Sequence, residues 1–186
     1  MNYHLFRTIN NWSGNGVFDD LMKVIAKDAI LAVFVAFAAL CVLRLRDRDP
    51  RPVVFSIAAL GLTYAFGLFA GTLHTERRPF ETHQVHQLIS HDPGQSFPSD
   101  HATAAFGVAF TVLLFLSRSW GMLLFIVAVV IGFSRVYDGV HYPSDILGGA
   151  AVAVLGVTVA VAVAVAFAQP RRQVAAVHPP VGAARR

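Results

Sequence analysis

The stretch Ser134-Arg-Val-Tyr-Asp-Gly-Val-His141-Tyr-Pro-Ser-Asp145 sets an arginine, a histidine and an aspartate between two long apolar runs. Ionisable groups are costly in such surroundings and mark functional sites. Pro143 suits the first residue of a helix, which puts Asp145 in the first turn and His141 just ahead of it. A carboxylate there can reach back to the imidazole, fixing its tautomer and freeing the other ring nitrogen to attack an electrophile. Arg135 adds a planar donor set matched to phosphate. The pattern reads as a nucleophilic histidine in a phosphate site; the plainer reading is a capped helix start with a surface ion pair.

The flanking runs decide the solvent. The 186 residues are 55% hydrophobic and 14% charged, with a mean hydropathy of +0.57. That much apolar surface cannot be hidden in one small soluble core, so the chain reads as a membrane protein. The single cysteine, Cys41, excludes an intrachain disulfide. A net charge of +4 raises nucleic acid as a partner, but the arginines flank apolar segments and form no basic, aromatic-interleaved face, which argues for membrane topology instead.

Five spans follow from the apolar runs: Ala29 to Leu43 extended back to Val24, Val53 to Ala70, Pro98 to Leu116, Gly121 to Phe133, and Ile146 to Ala168. The fourth is short for a bilayer and is expected to continue past Ser134, carrying Arg135 against protein rather than lipid. The fifth is rich in Gly and Ala, which favours close helix packing within the chain. Met1 to Asp28 lacks the form of a signal peptide; its apolar residues recur at helical spacing and predict an amphipathic helix, or helix pair, at the membrane interface. The expected fold is therefore an all-α polytopic membrane bundle of five helices plus an N-terminal interfacial helix. Residues 1–169 form the membrane domain, and 170–186, rich in Pro, Ala and Arg without periodicity, read as a disordered tail.

Orientation follows from positive charge. Arg44, Arg46, Arg48, Arg51, Arg118 and the four arginines of the tail fall on one side, nine of the 15 Lys and Arg. That side is assigned to the cytoplasm, with the tail, and the 71–99 and 134–145 segments to the outside. On the outer face Arg77-Arg78-Pro79-Phe80 supplies guanidinium groups, and Phe97-Pro98-Ser99-Asp100-His101 opens the third span, where exposed helix N–H groups favour an anion. His101 beside that anion site could protonate a leaving oxygen.

These segments resemble the three motifs of the type 2 phosphatidic acid phosphatase superfamily: Arg78-Pro79; Pro98-Ser99-Asp100-His101; and Ser134-Arg135 followed at the right spacing by His141 and Asp145. The fuller set, with Asn2-Tyr3, Leu5-Phe6, Phe80, His83, Ser96-Phe97 and Ala102, is similar to undecaprenyl-diphosphate phosphatases of the bacitracin-resistance type and spans nearly all but the tail. The resemblance implies an enzyme that removes the terminal phosphate of undecaprenyl diphosphate outside the cytoplasmic membrane. His141 would form a phosphohistidine, Asp145 would orient it, and His101 would be the general acid. Arg78, Arg135 and Ser99 would bind phosphoryl oxygens, aided by Ser134, Arg77 and the backbone near Asp100. Arginine charge suffices for such a transition state, so neither a metal nor another cofactor is implied. The implied partners are a polyprenyl diphosphate and membrane lipids, with no nucleic acid.

Two departures stand out. The superfamily's first motif has a lysine seven residues before its arginine, where this chain has Gly71; Arg77 or His74 replaces it, or the site works with one cation fewer. Asp100 stands where glycine is common, so its carboxylate should turn from the phosphate. His83, His86 and His91 suit zinc by number, but are read as loop histidines of a polar rim. Phosphatidate and phosphatidylglycerophosphate remain alternative substrates, and a non-catalytic lipid-phosphate carrier the alternative of another class.

Overall fold

A computed structural model describes residues 2–168, and the expected tail at 170–186 lies outside them. Seven α-helices form: α1 (Asn2–Asn10), α2 (Gly16–Leu45), α3 (Arg51–Leu73), the single turn α4 (Pro79–Thr82), α5 (Asp100–Thr111), α6 (Arg118–Tyr137) and α7 (Pro143–Ala168). A π-helical segment, Val112–Leu116, prolongs α5. Helices α2, α3, α6 and α7 are long and apolar enough to cross a membrane, and Asp100–Leu116 is a shorter apolar helix among them. The all-α bundle is as expected.

The core sits around α5, which packs against α2, α3, α6 and α7. Its buried face is built of small residues, Ala102, Ala105, Gly107 and Ala109, which let neighbouring backbones come close. The Gly and Ala stripe of α7 works the same way: a Cβ added at Gly149 would stand 2.8 Å from the Thr103 nitrogen of α5. Large apolar side chains point outward instead, among them Leu31, Val35, Ile57, Phe69 and Ile126. That inversion suits hydrocarbon as the surrounding solvent.

Two boundaries differ from expectation. Residues 16–28 are not a separate interfacial helix; they continue without a break into the first span, giving one helix of 30 residues. A polar residue of this stretch is satisfied by tertiary contacts: Asp19 accepts the Tyr137 hydroxyl at 2.6 Å and the Gly14 N–H at 3.1 Å. Only α1 is a separate amphipathic helix, with Phe6 and Asn10 buried. The expected turn at 117–120 shrinks to Ser117, whose extended backbone ends the π segment and whose hydroxyl accepts the Trp120 N–H to start α6.

Candidate active site

Helix α6 runs on through Ser134 to Tyr137 and carries Arg135, 2% exposed, into the protein interior. Gly139, at φ +81°, then reverses the chain; a Cβ there would stand 2.7 Å from the His86 carbonyl oxygen, so glycine answers both the backbone conformation and the close approach. Val140, His141 and Tyr142 follow, and Pro143 starts α7. His141 and Asp145 are thereby one helical turn apart and both buried.

The Asp145 carboxylate is held on three sides. Its Oδ2 lies 3.3 Å from His141 Nδ1, accepts the Tyr142 N–H at 2.8 Å and accepts a short hydrogen bond from the Ser96 hydroxyl. This places the imidazole proton on Nδ1 and leaves Nε2 with its lone pair. Arg78 Nη1 approaches that Nε2 to 3.1 Å and also donates to the Val140 carbonyl at 3.3 Å. Burial holds the His141 imidazole below its ordinary pKa, and the two arginines act the same way against Asp145. A neutral ring is the nucleophilic form.

The arginines are incompletely bonded. Arg135 Nη1 donates to the Ala26 carbonyl at 3.1 Å, while Arg135 Nε, Arg135 Nη2 and Arg78 Nε are buried without an acceptor among the described residues. Each buried, unpaired donor costs about 1–3 kcal/mol, more when charged, and a phosphoryl group bound among them would offset that cost. Asp138, three residues beyond Arg135, is fully buried with both carboxylate oxygens unpartnered among the described residues. Burial pushes its carboxyl up to about 7, against the pull of Arg135.

His101 lies in the first turn of α5, half-buried and within electrostatic reach of Arg135, His141, His91 and Arg78. Ser99 is the N-cap of α5: its hydroxyl accepts the Ala102 N–H at 3.5 Å, and its own N–H donates to the Asp145 carbonyl, tying α5 to α7. Asp100 is exposed, on the wall of an apolar cavity. The Ser134 hydroxyl is turned into its own helix, on the Ile131 carbonyl at 2.7 Å. Arg77 is exposed, its backbone bridged to Gln95, and His74 is exposed beside Glu76 at 3.4 Å. Neither joins the buried guanidinium pair. At Gly71 itself the carbonyl accepts Gln95 Nε2 at 2.9 Å.

Three features escaped the sequence reading. Ser96 has no spacing rule linking it to Asp145. Asn10 clamps the loop after α4 against the end of α6, accepting the His86 N–H and donating to the His86 and Tyr137 carbonyls, all at 2.8–2.9 Å. The three loop histidines also diverge: His83 packs on Tyr3 and Tyr142, His86 bonds Ser13 at 2.7 Å, and His91 turns toward His141.

Beside the cluster, a cavity of about 510 Å³ opens between α2, α3 and α5, lined by Phe34, Leu60, Tyr64, Leu68 and Phe97. Asp100 and Gly71 stand on its wall, next to the start of α5.

Comparison with known proteins agrees with this geometry. The chain is 36% identical over 160 residues to the undecaprenyl-diphosphatase BcrC of Bacillus subtilis, covering 83% of this chain and 80% of that protein. Its fold superposes on Aquifex aeolicus LpxE with a TM-score of 0.70 at 27% identity, covering 87% and 94% of the two chains. A Bacillus subtilis transmembrane PAP2-type phosphatidylglycerolphosphate phosphatase shares the fold alone, with a TM-score of 0.63 at 18% identity over 91% and 89% of the chains. The PAP2 superfamily model matches residues 52–169, which hold both arginines and both histidines of the cluster, and this multi-pass membrane protein belongs to that superfamily.

Proposed function

We propose that the protein hydrolyses undecaprenyl diphosphate to undecaprenyl phosphate and inorganic phosphate, through a phosphohistidine on His141. The observation that carries the chemistry is the buried pair Arg78 and Arg135, with three nitrogens lacking acceptors, around a His141 whose Nε2 is free of protons. The lipid class rests on the 36% identity to BcrC and on the apolar cavity whose wall includes Phe97 and Asp100, the latter next in sequence to His101.

In the first step Nε2 of His141 forms a bond to the terminal phosphorus, the bond to the bridging oxygen breaks, and His101 gives a proton to the departing lipid monophosphate. In the second, water attacks the phosphohistidine, His101 takes its proton, and inorganic phosphate leaves His141 as it began. Arg78 and Arg135 stabilise charge on the equatorial oxygens in both steps. The cavity holds the isoprenoid units nearest the diphosphate, and lipid surrounds the rest.

Phosphate release from a panel of lipid phosphates by the purified protein tests this. Undecaprenyl diphosphate is expected to turn over faster than phosphatidate or phosphatidylglycerophosphate. Preference for either of those would move the substrate, and binding without release on the whole panel would leave a carrier.

The charge bias of the loops supports a site on the outer face of the cytoplasmic membrane. In a Cys41-free background, Gln87→Cys is expected to react with an impermeant thiol reagent on intact cells, and Asp49→Cys only after lysis. The opposite pattern would put the site inside.

A further inference from the structure

The segment Ile89-Ser-His91-Asp-Pro-Gly94 carries one of the three loop histidines that the reaction scheme leaves unused, and the one whose ring turns toward His141. Its position is built. On one side Ile89 is 3% exposed, packed with Ala26 of α2 and Val140, and the Leu88 N–H donates to the Asp138 carbonyl at 3.1 Å. On the other, the Gly94 N–H donates to Glu81 at 2.8 Å and the Ser96 N–H to the Glu76 carbonyl at 2.8 Å. Held between these anchors, the His91 ring is half-buried and stands edge-on to His141, with ring centroids 6.1 Å apart and planes at 81°. It shares the electrostatic field of Arg78 and Arg135, and its charge reaches His101. Its Nδ1 faces the Asp92 carbonyl at 3.2 Å, so Nδ1 carries a proton and Nε2 is left for a ligand.

A single phosphoryl group is already provided for, by His141 as nucleophile, His101 as acid and two guanidinium groups as charge. A diphosphate brings a second phosphate with its own negative charge into the same enclosed space, and that group needs a donor of its own. We propose that His91 binds the second, non-transferred phosphate of the substrate and so selects diphosphates over phosphate monoesters. The inference rests on the diphosphatase reading above. Burial, with Arg78 and Arg135, holds the His91 pKa below its ordinary value when no anion is bound. An arriving diphosphate reverses that field, and the ring then takes a proton at Nε2 and donates it as a charge-assisted hydrogen bond. His83 and His86, packed on Tyr3 and bonded to Ser13, are not turned toward His141.

The test compares farnesyl diphosphate with farnesyl monophosphate, which share one apolar tail, using the full-length protein in detergent. His91→Ala is expected to lower kcat/KM for the diphosphate by about ten-fold or more, the effect of losing a hydrogen bond to a charged group, and to spare the monophosphate. His91→Gln keeps a donor near the same place and is expected to recover part of the loss, which also serves if the alanine variant fails to fold. Inhibition by inorganic pyrophosphate should weaken in the same variants while inhibition by inorganic phosphate does not, a readout that a merely structural role would not split. Equal losses on both farnesyl substrates, or none on either, would overturn the proposal while leaving the diphosphatase reading in place. A wild-type protein that hydrolyses the monophosphate but not the diphosphate would overturn both.

Discussion

His141→Ala is expected to abolish turnover on every substrate, since it removes the atom to which phosphorus is transferred. The geometry argues for a direct part in bond-making: Nδ1 is committed to Asp145 at 3.3 Å, Arg78 stands 3.1 Å from Nε2, and the ring is 2% exposed. The ring is held between Asp145 on Nδ1 and the Arg78 guanidinium on Nε2, so an anion drawn to Arg78 arrives beside the Nε2 lone pair. Two in-line displacements at one phosphorus follow, first by Nε2 and then by water, so a chiral thiophosphoryl substrate is expected to give product with retained configuration. Rapid quenching should trap an acid-labile phosphoenzyme in the wild type and none in His141→Ala. Inverted product, or turnover surviving in the alanine variant, would replace the covalent route with direct attack by water.

Asp145→Asn is expected to keep the fold and lose about 10²- to 10⁴-fold in kcat, the range seen when the group orienting a catalytic histidine loses its charge. The carboxylate has two functions here. Through Oδ2 it accepts the Tyr142 N–H at 2.8 Å and the Ser96 hydroxyl, which fixes the turn into α7, and through the same oxygen it holds the proton on His141 Nδ1. An amide oxygen can still accept from Tyr142, so the turn should survive. What it cannot do is balance the imidazolium that forms if the ring is protonated, or hold the tautomer against an NH₂ group turned the other way. A kcat near wild type, in a variant with an unchanged melting temperature, would remove Asp145 from the mechanism and leave it as a helix-start carboxylate.

Much of this was legible in the chain because it is local. Pro143 starts α7 as its fixed φ and missing N–H suggest, and Asp145 in the first turn then reaches back, on the Tyr142 N–H, to His141 just ahead of the helix. Arg135 had to lie on a helix that continued past Phe133, because thirteen apolar residues are too few to cross a bilayer; it does, and it faces protein. The resemblance located Arg78 and His101, and the structure set Arg78 on the nucleophile and His101 within its electrostatic reach.

Where the reading failed, the deciding contacts were distant in sequence. Residues 16–28 looked interfacial because their apolar residues recur at helical spacing among polar ones, yet the Asp19 carboxylate is taken up by Tyr137, 118 residues away, and the helix runs on into the first span. Arg77 was read as a phosphate ligand, with His74 as the other candidate for the missing lysine, since charge and proximity to Arg78 say nothing about which side of the rim a side chain takes; both stay exposed. His91 was indistinguishable from His83 and His86 until Asn10, Ile89 and Glu81 anchored the loop and turned only that ring toward His141. By itself, then, the sequence determined the solvent, the helical class and the local pairing of His141 with Asp145, because hydropathy and the start of a helix act over a few residues. Only the tertiary structure decided which arginines are buried with donors unpaired, that Ser96 holds Asp145, and which loop histidine faces His141, because those depend on packing between segments whose separation in the chain carries no period.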